Sequence, residues 1–212
     1  MTDVSKRKEV FPNNFLISIS LLVGSIILAA FFPSSHRGLA AAAMFFSFLG
    51  DLALMDYQRL FSRYTPSPFV VGGVLFMISH VFYGFAFLRL ASSFQIPYLN
   101  NGFAAALITG LLAYLSLILI GKKNEVLTSK RALLLALYAA FEVFDMTCVF
   151  SCGYGMMTDG RWLQGIVAPL GIVLFVISDY FIGMDKVAGN RRLIKYIWLF
   201  YPIGQLLLII GA

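Results

Sequence analysis

Phe69–Leu90 reads FVVGGVLFMISHVFYGFAFLRL, and apart from the phenol of Tyr83 only His80 and Arg89 in it can carry a charge. A helix needs about 20 predominantly apolar residues to cross the hydrocarbon core of a bilayer. This stretch is long enough and apolar enough to do so, which makes it a predicted membrane span. Similar blocks lie on both sides of it, over Phe15–Phe32, Leu39–Met55, Gly102–Ile120, Ala132–Phe150, Gly165–Met184 and Leu193–Ala212. The expectation is an all-α, polytopic membrane helix bundle of seven transmembrane helices, with a basic segment over 1–14 and a single helical domain over 15–212. The connections are short, so consecutive helices are expected to be antiparallel neighbours.

Composition points the same way. Of 212 residues, 60% are apolar and 12% charged, whereas a soluble domain carries about 25% charged residues. The net charge of +6 does not read as a nucleic-acid surface, because the basic residues sit in short loops between apolar blocks. There they favour the cytoplasmic side and anionic lipid headgroups. With the N-terminus inside, that side holds thirteen of the sixteen Lys and Arg: Lys6, Arg7, Lys8, Arg59, Arg63, Lys122, Lys123, Lys130, Arg131, Lys186, Arg191, Arg192 and Lys195. The other side holds Arg37, Arg89 and Arg161. The expected orientation is N-terminus cytoplasmic and C-terminus outside. The first block ends in Phe31-Phe32-Pro33 rather than a small-residue cleavage site, so it reads as a retained helix. Cys148 and Cys152, four apart, read as buried thiols on one helix face rather than a disulfide framework.

Ionisable groups at bilayer depth are costly and mark sites or internal pairs. Asp51, His80, Glu142, Asp145 and Asp179 fall inside the predicted spans, joined by Tyr201 and Gln205. At 1.5 Å per residue, Asp51 and Asp179 lie roughly 7 Å from the cytoplasmic end of their helices, and His80, Glu142, Tyr201 and Gln205 roughly 12–18 Å from it. Groups from five helices are thus expected to converge in the inner half of the bundle. Helical phase puts Gly73, Phe76, His80 and Tyr83 on one stripe, and Gly171, Phe175, Ser178 and Asp179 on another. Tyr201 and Gln205 are one turn apart, beside Pro202, which leaves one carbonyl without its helical donor. Gly50, Gly73 and Gly171 permit close helix packing or room for a ligand. More ordinary roles compete with these: a structural Asp51–Asp179 pair, a core His80 bonded to a carbonyl, and Glu142 and Asp145 lining an aqueous cavity.

In order and separation, four motifs resemble the YhhN-like lysoplasmalogenase family. They are Ser47 to Asp51 ending in Gly-Asp with Leu54-Met55 after it; Gly73-x-x-Phe76-x-x-x-His80-x-x-Tyr83 with Phe85 and Phe87; Gly171-x-x-x-Phe175-x-x-Ser178-Asp179; and Tyr201-x-x-x-Gln205-Leu206. The resemblance runs from about residue 12 to the end. It implies hydrolysis of the vinyl ether bond of lysoplasmalogens to a fatty aldehyde and glycerophospho-ethanolamine or -choline, with a lysophospholipid substrate and no cofactor or metal. Members of the family typically have eight helices, one more than is counted here, and Glu142 and Asp145 are not part of its pattern. A vinyl ether hydrolyses by protonation of its β-carbon and capture of the oxocarbenium ion by water, which calls for an acid and a nearby anion, as glycosidases provide with two carboxyls. Asp51 and Asp179 are the candidates for these roles. His80, Tyr83, Ser178, Tyr201, Gln205 and Glu142 are the candidates for orienting substrate or water.

The rival reading is a small proton-coupled transporter or channel built on the same Asp, Glu and His groups. A zinc hydrolase needs about three protein ligands, and His36 and His80 are the only histidines. A retinal protein would need a lysine in the middle of the last helix, whereas Lys195 stands at its start. The short, loop-poor chain suits a bacterial inner membrane better than the endoplasmic reticulum.

Overall fold

The computed structural model describes residues 3–55, 67–123, 129–188 and 191–212, with the side chains at 3–12, 129–131, 186–188, 191 and 194 excepted. Arg59 and Arg63 lie outside the described residues, as do the side chains of Lys6, Arg7, Lys8, Lys130, Arg131, Lys186 and Arg191. The helices are α1 (Asp3–Phe31), α2 (Ser35–Met55), α3 (Pro68–Ser93), α4 (Asn101–Lys123), α5 (Ser129–Thr158), α6 (Trp162–Ala188) and, after a 3₁₀ turn at Arg191–Leu193, α7 (Ile194–Gly211). Among the described residues, α1 to α6 each contain a stretch long and apolar enough to cross a membrane, and α7 contributes the shorter apolar run Lys195–Gly211. Large apolar side chains cover the outside, Leu112, Leu119, Leu133 and Leu163 among them. Lipid tails tolerate that surface and water does not. The chain is a polytopic helical membrane protein.

Local chemistry explains the boundaries. Ser67 caps α3 by accepting the Val70 N–H at 3.4 Å, and Pro68 fills the first helical position, where a missing N–H costs nothing. α5 runs eight residues past the predicted end at Phe150, to Thr158. Its last two turns, SCGYGMMT, carry small residues that read as a loop but let α6 approach closely. A Cβ on Gly153 would stand 2.6 Å from the Gly165 carbonyl oxygen, and one on Gly165 2.6 Å from that of Gly153. Pro169 inside α6 removes the helical donor that the Gly165 carbonyl would otherwise have. α6 and α7 are locked in the same way: a Cβ on Gly171 would lie 2.9 Å from the Gly204 carbonyl, and one on Gly204 2.8 Å from the Gly171 carbonyl.

One expected adjacency fails. α3 packs on α2 and α5 rather than on α4, and α4 packs on α5 and α6. The connection at 94–100 passes over the end of α5 instead of turning back beside α3. It is tied there by Asn100, whose amide donates to the Pro97 carbonyl (2.9 Å), the Ser151 carbonyl (2.9 Å) and Ser151 Oγ (3.1 Å). Ser151 donates to the Tyr98 carbonyl, and the Tyr98 hydroxyl meets Thr147 at 2.8 Å. The bundle is therefore a ring of α2, α3, α5, α6 and α7, with α1 lying over α2 and α7 and α4 lying over α5 and α6. Cys148 and Cys152 are free and buried.

The face of α3 turned inward is the expected stripe except at its glycine. Gly72, Phe76, Ser79, His80 and Tyr83 are buried. A Cβ on Gly73 would meet nothing within 4 Å, so Gly73 has no packing role, whereas one on Gly72 would strike Leu54.

Candidate functional site

Three polar groups occupy the middle of the ring, each drawing on different helices. The first centres on Asp51, 4% exposed, one turn from the end of α2. Its Oδ2 accepts from the Tyr201 hydroxyl of α7 at 2.7 Å and from the Ser18 hydroxyl of α1. The second centres on Gln205 of α7, fully buried. Its Oε1 accepts from Tyr83 at 2.6 Å, its Nε2 donates to Ser47 Oγ at 3.1 Å, and Ser47 meets Ser79 at 2.7 Å. Every polar atom in that chain has a geometrically sound partner, which is what a buried amide requires.

The third group is the most highly charged. His80, fully buried on α3, has Nδ1 3.0 Å from Asp145 Oδ2 of α5 and Nε2 3.7 Å from Asp179 Oδ2 of α6. Tyr138 of α5 donates to Asp179 Oδ2 at 2.6 Å and stands 3.5 Å from His80 Nε2, too long for a strong bond. Asp145, His80, Asp179 and Tyr138 thus form a line across α3, α5 and α6, hydrogen-bonded at both ends with a 3.7 Å step between His80 and Asp179. Glu142, one turn beyond Tyr138, interacts electrostatically with Asp179, His80 and Asp145. Among the described residues, Glu142 Oε1 and Asp145 Oδ1 are buried and find no hydrogen-bond partner. Between α4, α5 and α6 a cavity of about 40 Å³ opens onto this group, its wall including Tyr138, Glu142 and Asp179 together with Gly110, Ala113 and Met146.

Aromatic rings separate the first and third groups. His80 stacks on Phe175 with ring centres 5.0 Å apart, and Phe175 packs edge-on against Tyr201 at 5.6 Å and Phe76 at 6.1 Å. Asp51 and Asp179 interact electrostatically, but each bonds to its own tyrosine, Tyr201 or Tyr138, and not to the other.

Of the residues singled out from the sequence, the fold therefore brings His80, Asp179 and Glu142 together, Asp51 with Tyr201, and Tyr83 with Gln205. Ser178 is buried but spends its hydroxyl on the Phe175 carbonyl of its own helix, at 2.6 Å. His80 bonds a carboxylate rather than a carbonyl, and Asp145 is the partner it bonds. Tyr138, Ser18 and Ser79 were not anticipated. Tyr138 carries a signal in its spacing, since 138, 142 and 145 share one helical face. Ser18 and Ser79 carry none. Among the described residues, no group of three or more His, Cys, Asp or Glu is arranged to hold a metal ion.

A sequence model described as the YhhN family matches residues 14–212, nearly the whole chain, and the protein belongs to that family. No curated protein and no solved structure matches it.

Proposed function

We propose that this member of the YhhN family is an intramembrane hydrolase that cleaves the vinyl ether bond of lysoplasmalogens, releasing a fatty aldehyde and glycerophospho-ethanolamine or -choline. The observation that carries this reading is the position of Asp51 and Asp179. They come from different helices, each is held by a tyrosine hydroxyl, and Phe175 packs against both the His80 ring of one group and the Tyr201 ring of the other. An aromatic interior flanked by two carboxyls suits an apolar alkenyl chain whose reaction passes through a cation.

In this mechanism one aspartic acid gives its proton to the β-carbon of the vinyl ether, and the other, ionised, faces the positive charge that develops on the ether oxygen and α-carbon. Water adds to the α-carbon, and the hemiacetal collapses to aldehyde and the glycerol hydroxyl. His80 lies in line with Asp179 to return the proton. Tyr83, Tyr201 and Gln205 orient the glycerol or the water. The headgroup phosphate is held at the basic end of the bundle, where Lys122, Lys123, Arg192 and Lys195 stand. The thirteen-to-three distribution of Lys and Arg supports a cytoplasmic placement of that end. The short loops support a bacterial inner membrane.

The test is aldehyde release by the purified protein from a vinyl-ether lysophospholipid, with the saturated-ether and ester lipids as controls. Aldehyde from the vinyl ether alone is the expected result. No aldehyde from folded, monodisperse protein overturns the reading, and proton flux in sealed vesicles would then replace it with the transporter.

A further inference from the structure

The cavity between α4, α5 and α6 is too small for a lipid and too polar on one wall to be empty. A water needs roughly 10–15 Å³ of such space, so about 40 Å³ holds about three. Cavities lined only by apolar groups stay dry, whereas those with two or more polar partners hold ordered water. In this one the Glu142, Asp179 and Tyr138 side chains stand in the lining, together with Gly110, Ala113 and, one turn along α5 from Glu142, Met146. Among the described residues Glu142 Oε1 finds no hydrogen-bond partner. Leaving such an atom unpaired costs about 1–3 kcal/mol, so a turn of the carboxyl that brings Oε1 to water in the cavity is favoured.

We propose that this cavity is a built water site and that Glu142 is the carboxyl that holds the water beside Asp179. The chemical part of the proposal rests on the hydrolase reading above. There the oxygen of this water bonds to the α-carbon of the oxocarbenium ion, and its proton passes to the Glu142 carboxylate. In the collapse of the hemiacetal, the bond from that carbon to the glycerol oxygen breaks and the glycerol oxygen takes a proton back from Glu142. The remaining hydroxyl proton returns to the aspartate that protonated the β-carbon as the aldehyde forms. Water enters as reactant and nothing is oxidised or reduced.

The experiment is X-ray hydroxyl-radical footprinting of the full-length protein, in which bound water next to a methionine converts it to the sulfoxide. Met146 and Met44 are equally hidden from solvent, at 2% and 0% exposed, but only Met146 lines the cavity. Met146 is expected to oxidise several-fold faster than Met44. Glu142→Leu, which removes the holding group, and Ala113→Leu, which fills the space and keeps every polar group, should each bring Met146 down to the rate of Met44. A slow Met44 in each variant reports an intact bundle. Equal rates for the two methionines in the unaltered protein, or a Met146 rate indifferent to Glu142→Leu, overturn the water site. In turnover, Glu142→Gln should lower kcat about a hundredfold with KM unchanged. Unchanged kcat overturns the role of this water in the reaction. Absence of aldehyde from the unaltered protein overturns the hydrolase reading instead, and the footprint alone then decides the water site.

Discussion

The Asp51 group and the His80 group lie in the same bundle and solve the same problem differently. Asp51 is a single carboxyl enclosed by neutral hydroxyls, Ser18 and Tyr201, on three helices. The His80 group gathers the carboxyls of Asp145, Asp179 and Glu142 around one imidazole. Among the described residues it leaves two carboxyl oxygens unpaired, and it has a cavity at its side. The first arrangement fixes one carboxyl in one geometry. The second keeps spare hydrogen-bonding capacity, which a structure maintained only for stability would have no reason to retain. Fixed geometry suits a group that must point at one atom, and spare capacity suits a group that must exchange protons and water.

The comparison is sharpest in turnover. Asp179→Asn and Asp51→Asn are each expected to lower kcat on the order of 10²- to 10⁴-fold while the protein stays folded. Retained turnover in Asp51→Asn alone would make the His80 group the whole site, and retained turnover in both would remove the pair. Stability separates the groups next. His80→Ala strands the buried Asp145 carboxyl and removes the cation facing Asp179, and should cost about 3–5 kcal/mol, read as a lowered unfolding temperature in detergent. Tyr201→Phe removes one donor from Asp51 and leaves Ser18 in place, so its cost should be about 1–3 kcal/mol by the same measurement. A larger loss from Tyr201→Phe than from His80→Ala would invert the contrast. Ser178→Ala touches neither group, because its hydroxyl bonds the carbonyl three residues back in its own helix. It should shift stability by no more than about 0.5 kcal/mol, and a larger effect would place Ser178 within one of the networks.

The helices were legible because an apolar run of this length has one common solution in a membrane. Their neighbours were not. The seven residues at 94–100 limit how far α4 lies from α3, but not which helix it rests on. That choice was made by Asn100 and Tyr98 against Ser151 and Thr147, polar contacts with no periodic signature. The end of α5 was misread because Ser151, Gly153 and Gly155 look like punctuation in isolation and become packing surface only when α6 is present. The candidate site was legible wherever a residue is rare at bilayer depth, as Asp51, His80, Glu142, Asp179 and Gln205 are. Tyrosine and serine are common in membrane helices, so Tyr138, Ser18 and Ser79 gave no warning. On α3 helical phase found the inward face, with Phe76, His80 and Tyr83 buried as expected, but not which of two adjacent glycines packs there: Gly72 does and Gly73 does not.

The glycine contacts have a mechanical consequence. α6 meets α5 and α7 with backbone against backbone, at Gly153–Gly165 and Gly171–Gly204, so those seams cannot slide without breaking contacts that have no slack. α4 is attached less evenly. Near its start it is pinned, since a Cβ on Gly102 would run into the Phe150 carbonyl. Nearer its end the ties to α6 run through side chains, Leu117 against Gly183 and the Ser116 hydroxyl 2.9 Å from that of Tyr180. Under lateral pressure from the bilayer α4 therefore has more give at that end than at its start. On the hydrolase reading proposed above, a single-chain lipid would enter the interior there, next to Lys122 and Lys123.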